Sequence, residues 1–228
     1  MTVNQFRRFT YLFTSENEVV SEIRKQLNSE EFQKKLKEIG IFSFEIYQKE
    51  QNYFLLIDVS TEMNSSALDK ALTNLNIDFN SLFQKKSNTF NIEAFPLERI
   101  YELDQKHIYN AKEGQLKNQI GTKKRFVWTL LLEPDLIDEY KKIHSIGQAW
   151  PEITANMKTI GVKDMEIYLS GNQAILIMDT KPDFNFEIVG PQWQKLPREE
   201  EWQAYVSKFQ RTNSESSIQE KWQDMRVL

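Results

Sequence analysis

A tyrosine and a histidine, Tyr140 and His144, lie one helical turn apart in the stretch EYKKIHSIGQAWPEI (Glu139 to Ile153), and Trp150-Pro151-Glu152 follows within it. His144 is one of only two histidines in the chain. Imidazole gives and takes protons near neutral pH, which makes His144 a candidate acid/base group. A phenol can orient that imidazole or hydrogen-bond a hydroxylated ligand. An indole offers a flat apolar face on which the C–H side of a sugar ring can rest, plus one N–H donor. The same spacing also suits an ordinary amphipathic helix, so the pair alone leaves both readings open.

The surrounding residues show how these groups would be held. EPDLIDEYKKI carries Leu136, Ile137, Tyr140 and Ile143 at helical spacing, which places Tyr140 and His144 on one helix face. Gly147 is expected to loosen or end that helix. Pro151 suits the first turn of a new one, leaving Trp150 at the bend near His144.

Composition narrows the function classes. The chain has 228 residues, 40% hydrophobic and 27% charged, as in a soluble globular protein. No run of about 18 apolar residues occurs, so no membrane span is expected. The amino terminus, MTVNQFRRFTYLF, does not read as a signal peptide. The absence of cysteine excludes disulfides and thiolate chemistry and fits a cytoplasmic setting. With two histidines and no cysteine, no transition-metal site is expected. A net charge of −4 argues against a nucleic-acid partner, and no glycine-rich phosphate loop is present.

The chain also repeats itself. KEIGIFSFEIYQKEQNYFLLIDVS (Lys37 to Ser60) aligns without a gap with KTIGVKDMEIYLSGNQAILIMDTK (Lys158 to Lys181). Ile39, Gly40, Glu45, Ile46, Tyr47, Leu55 and Asp58 meet Ile160, Gly161, Glu166, Ile167, Tyr168, Leu176 and Asp179. Upstream, RRFTYLF (Arg7 to Phe13) resembles KRFVWTL (Lys124 to Leu130). Each copy reads as strand, helix ending at Ile-Gly, hairpin over KEQN or SGNQ, second helical region, and a closing strand, LERIYEL or DMRVL. This is the β-α-β-β-α-β ferredoxin-like order. The fold class expected is α+β, two tandem ferredoxin-like units forming a pseudo-dimeric α/β barrel, because each sheet leaves a face that needs cover. The boundaries are residues 1–104 for a degenerate unit, 105–123 for a polar linker and 124–228 for the second unit. His107 falls in the linker and reads as an ordinary exposed residue.

The copies differ in chemistry. His144 falls on Ile23 or Leu27 of the first copy, Tyr140 on Val19 or Ile23, and Trp150-Pro151-Glu152 on Ser29, Glu30 and Glu31. The five tryptophans, Trp128, Trp150, Trp193, Trp202 and Trp222, all lie in the second copy. The first copy therefore reads as scaffold and the second as the working half.

Tyr140-x-x-x-His144, then Trp150-Pro151-Glu152, Gly161, EIYL (Glu166 to Leu169), a Trp-bearing helix and a closing strand together resemble the L-rhamnose mutarotase family, from Lys124 to Leu228. The resemblance implies small ferredoxin-like units paired through their sheets, so this chain would be an intrachain pseudo-dimer, with further homodimerisation left open. It implies interconversion of the α and β anomers of a 6-deoxy-hexose, L-fucose ranked ahead of L-rhamnose, without a cofactor. It places the acid/base group at His144, with Tyr140 as its partner. Trp202, Trp150 and Tyr168 become the expected walls for a monosaccharide. Three departures from the rhamnose type are a longer His144–Trp150 spacing, Met165 in place of a binding tyrosine, and Glu201-Trp202 in place of a Trp-Trp pair. Two rival readings are a non-catalytic sugar-binding or scaffold protein, and a ferredoxin-like monooxygenase acting on aromatics or haem.

Overall fold

The computed structural model describes residues 5–14, 21, 24–75, 95–211 and 222–228. Val19 and Ile23, opposite Tyr140 and His144 in the repeat, lie outside these residues, as does the first copy's sequence from 76 to 94.

The first copy contributes β1 (Gln5–Thr14), α1 (Glu30–Glu38), β2 (Ile41–Lys49), β3 (Asn52–Val59), α2 (Ser65–Asn74) and β4 (Glu98–Glu102). Then comes β5 (Gln115–Asn118), followed by β6 (Lys124–Leu131), α3 (Ile137–His144), α4 (Pro151–Thr159), β7 (Val162–Ser170) and β8 (Gln173–Thr180). The chain continues through α5 (Phe186–Trp193), α6 (Glu199–Ser207), β9 (Gln223–Asp224) and β10 (Arg226–Val227). The architecture is mixed α+β with two antiparallel sheets.

Local sequence explains the element ends. The Ser29 side chain accepts from Phe32 N at the start of α1, with Glu30 and Glu31 in the first turn and Lys35 and Lys37 in the last. Such a cap contributes about 1 kcal/mol, and the charges complement the helix dipole. Gly40 and Gly161 adopt φ of +84° and +101°, the left-handed conformation that ends α1 and α4 where the repeated Ile-Gly predicted. The two hairpins turn in two residues each, Lys49 pairing Asn52 and Ser170 pairing Gln173. A bulge follows Ile41 in β2 and recurs after Val162 in β7. The repeat thus extends to register.

The two sheets run β10-β2-β3-β1-β5 and β4-β7-β8-β6-β9. The closing strands therefore exchange: β4, the end of the first copy, edges the second sheet beside β7, and β10 edges the first sheet beside β2. The expected arrangement, in which LERIYEL closes its own copy, is replaced by this one. β5 arises within the polar stretch read as a connector and pairs with β1. The chain accordingly divides into two compact units, one of Met1–Glu98, Tyr109–Gln119 and Arg226–Leu228 and another of Arg99–Ile108 and Ile120–Met225.

Each unit has its own core. In the first, Phe9, Tyr11, Phe13, Ile46, Leu55 and Ile57 pack with Leu36 of α1 and Leu68 and Leu72 of α2. In the second, Leu130, Ile167, Leu169, Leu176 and Met178 pack with Tyr140, Ile153, Met157 and Val206 from the helices. Each fully buried Leu or Ile contributes roughly 1.5–3 kcal/mol. β8 is buried on both faces, since Ile175, Ile177 and Asp179 are as covered as Leu176 and Met178. Arg8 pairs with Asp58 at 2.7 Å, and their repeat equivalents Arg125 and Asp179 pair at 2.7 Å. Tyr47 donates to Glu45, and Tyr168 donates to Glu166 in the same way.

Candidate active site

His144 is the last residue of α3, and its ring turns inward at 7% exposure. Its Nδ1 lies 2.8 Å from the Tyr140 backbone carbonyl, which can only accept. Nδ1 therefore carries the proton and Nε2 keeps a lone pair. The helix stops immediately afterwards, where Ser145 N and Oγ both donate to Lys142 O. Trp150 then caps α4 with Pro151 in its first turn, as the sequence predicted.

Rings surround the imidazole. Tyr140 lies 4.3 Å away between centroids, Trp202 of α6 at 5.9 Å and 76°, and Tyr101 of β4 at 5.8 Å and 78°. Trp150 meets Trp202 at 5.3 Å and lies nearly parallel to Tyr205 at 5.9 Å. The structure thus brings His144, Tyr140, Trp202 and Trp150 together. Tyr168 does not join them. Strand alternation puts Ile167 and Leu169 in the core that contains Tyr140, and Glu166 and Tyr168 on the opposite sheet face. There the Tyr168 hydroxyl donates to Glu166 Oε1 at 2.8 Å.

Burial sets the protonation states. It pushes the His144 pKa down from 6.5 to about 4, opposed only in part by the bond to the Tyr140 carbonyl, so the ring is neutral at pH 7. Burial pushes the Tyr140 phenol up, and it stays protonated. Tyr101 is pushed up to about 12, chiefly by burial. One stability consequence follows from His144. Between its folded value near 4 and its unfolded value near 6.5, the unfolded chain binds a proton that the folded chain refuses. Stability contributed by the neutral ring is therefore present above that window and falls as pH drops through it, by up to about 3 kcal/mol. Urea midpoints of wild type and His144→Leu between pH 7 and pH 4.5 check this. The variant should lose less on acidification, and equal losses would rule the effect out.

Two features missed in the sequence complete the site. Tyr205, at i+3 from Trp202, was legible as the same helix face; Tyr101 gave no signal, because it belongs to the other copy. Glu199, 3% exposed at the start of α6, accepts from Asn156 Nδ2 at 3.0 Å and Trp193 Nε1 at 2.8 Å, tying α6 to α4 and α5. The Trp150 face carries the Arg198 guanidinium at 4.0 Å, so a sugar stacking there must displace it. A half-open cleft of about 360 Å³ lies alongside, lined by Glu139, Lys142, Ile143, Gln148, Trp150 and Tyr205. It stops short of His144. Among the described residues no cluster of three His, Cys, Asp or Glu could hold a metal, and no helix is long and apolar enough to cross a membrane.

Comparison with known proteins assigns this half of the chain. Residues 125–228, just under half of the chain, match the model of the L-rhamnose mutarotase family. An L-fucose mutarotase of Xanthomonas campestris pv. campestris is 28% identical over 102 residues, 44% of this chain and 82% of that protein. A UPF0734 protein of Dictyostelium discoideum is 32% identical over 103 residues, 43% of this chain and 81% of that protein. A solved structure from Lactobacillus acidophilus NCFM, described as a candidate monooxygenase, superposes with a TM-score of 0.48 at 10% identity, covering 98% of this chain and 93% of that one.

Proposed function

We propose that the protein is a cofactor-independent sugar mutarotase that interconverts the α and β anomers of a 6-deoxy-hexose, L-fucose or L-rhamnose. The observation that carries this is the neutral, tautomer-locked imidazole of His144 beside the protonated phenol of Tyr140 within a cluster of aromatic rings. His144 Nε2 takes the proton of the anomeric hydroxyl while the Tyr140 hydroxyl gives its proton to the ring oxygen, and both protons are returned on reclosure. The C1–O5 bond breaks and the aldehyde forms. Rotation about C1–C2 and closure from the other face, with the proton returned by His144, give the second anomer. Trp202 and Trp150 wall the sugar. Tyr168, on the far sheet face, is left out of the sugar walls in this reading. The neighbouring cleft is of monosaccharide size, and the reading requires the Trp150–Trp202 edge to part so that a sugar reaches Nε2. The tandem ferredoxin-like pseudo-dimer belongs to the same proposal, supported by the repeated register and ion pairs.

NMR saturation transfer between the anomers of equilibrated L-fucose and of L-rhamnose tests the reading. Exchange faster than in buffer for one sugar is the expected result. The cleft ending before His144 favours one rival, a protein that binds the sugar without turning it over. Ligand-detected binding with no accelerated exchange would establish that rival instead.

A further inference from the structure

We infer that Tyr101, carried on the exchanged strand β4, is a positioning residue that holds the His144 ring edge-on and keeps water from it, so that the site is incomplete without a strand from the first copy. This rests on the acid/base reading of His144. Among the described residues, the other rings against His144 come from the second copy: Tyr140 from α3 and Trp202 from α6. Tyr101 closes the remaining side at 5.8 Å and 78°, the edge-to-face arrangement that aromatic rings favour. The side chain is 6% exposed and packs in the same core as Tyr140. The chain leaving β4 is registered to β7 by Leu103 N donating to Met165 O at 2.8 Å.

Desolvation is what keeps His144 neutral, and a ring of this size is a large share of the cover. Tyr101 and Tyr140 are the titratable groups in ring contact with it, and burial keeps both phenols uncharged at neutral pH. The inference also gives the plain first copy a task. Its closing strand completes the active half, while β10 repays the exchange by edging the first sheet.

The test uses the full-length chain with Tyr101→Leu and Tyr101→Phe, reading anomer-exchange kcat and KM together with the 15N shifts of the His144 imidazole across pH. In Tyr101→Leu, kcat should fall about tenfold with KM little changed, as loss of one edge-to-face contact at the reacting group implies. The imidazole midpoint should move up from about 4 toward 6.5. Tyr101→Phe keeps the ring and should restore both readouts. A folded Tyr101→Leu protein whose imidazole shifts and midpoint match wild type would overturn the inference. Should that variant fail to fold, wild type itself decides: the geometry requires a nuclear Overhauser contact between the Tyr101 and His144 ring protons, and its absence overturns the assignment. If wild type exchanges neither sugar, the mutarotase reading fails by itself, while the imidazole readout still decides what Tyr101 does.

Discussion

On the proposed mutarotase reading, replacing His144 by alanine should remove a factor of about 10²–10⁴ from anomer exchange, the gain that one positioned acid/base group supplies. The loss should appear in kcat, because the walls at Trp150 and Trp202 remain to hold the sugar. The pH profile adds a second, sharper expectation. A histidine of ordinary pKa would give an inflection near 6.5. Here burial holds the ring neutral down to about 4, so the wild-type rate should stay flat from neutrality to about pH 5 and fall only below that. Saturation transfer on wild type and His144→Ala at a series of pH values measures both. An alanine variant exchanging at the wild-type rate would remove His144 from the chemistry, and a midpoint near 6.5 would mean that water reaches the ring during turnover.

Much of this site was legible before any fold was known, because it is local. Tyr140 and His144 are one turn apart, and Pro151 marks the next helix start, so spacing alone brings the pair together with Trp150. The Ile-Gly helix ends and two-residue hairpins are equally local, which is why both copies showed them. The strand exchange is not local. LERIYEL has the same alternation whichever sheet edge it joins, and the choice depends on the path of the chain after it. Tyr101 was hidden for that reason. Tyr168 misled for a different one: EIYL places aromatic and aliphatic residues on successive positions, so strand alternation could not say which side chains face the helices. Only the bonded pair Tyr168 and Glu166, set against Ile167 and Leu169 in the helix-side core, separates the faces. β5 escaped because a four-residue polar edge strand carries almost no periodic signal.

Arg99→Met should cost about 3–5 kcal/mol, the penalty for breaking a buried ion pair by removing one partner. Arg99 reaches Glu166 at 3.3 Å, both side chains are 1% exposed, and Arg99 also meets Glu102 at 2.9 Å. For a chain of this size the loss corresponds to roughly 10 °C in Tm. Removing the charges together, as Arg99→Met with Glu166→Leu, should recover most of it, since apolar replacements of similar volume satisfy a buried site about as well. Thermal and urea unfolding of the two single variants and the double variant measure the coupling. A single-variant loss below about 1 kcal/mol would mean that water reaches the pair, as it does at surface bridges. The comparison also separates fastening from chemistry. Arg99 precedes Tyr101 on β4, and Glu166 lies on β7, so the pair pins the exchanged strand beside the strand it joins. With Arg99 and Glu166 replaced but the strand still registered through Leu103 and Met165, Tyr101 should stay against His144 and exchange should persist. A double variant that regains stability yet loses exchange would instead place the charges themselves in the reaction.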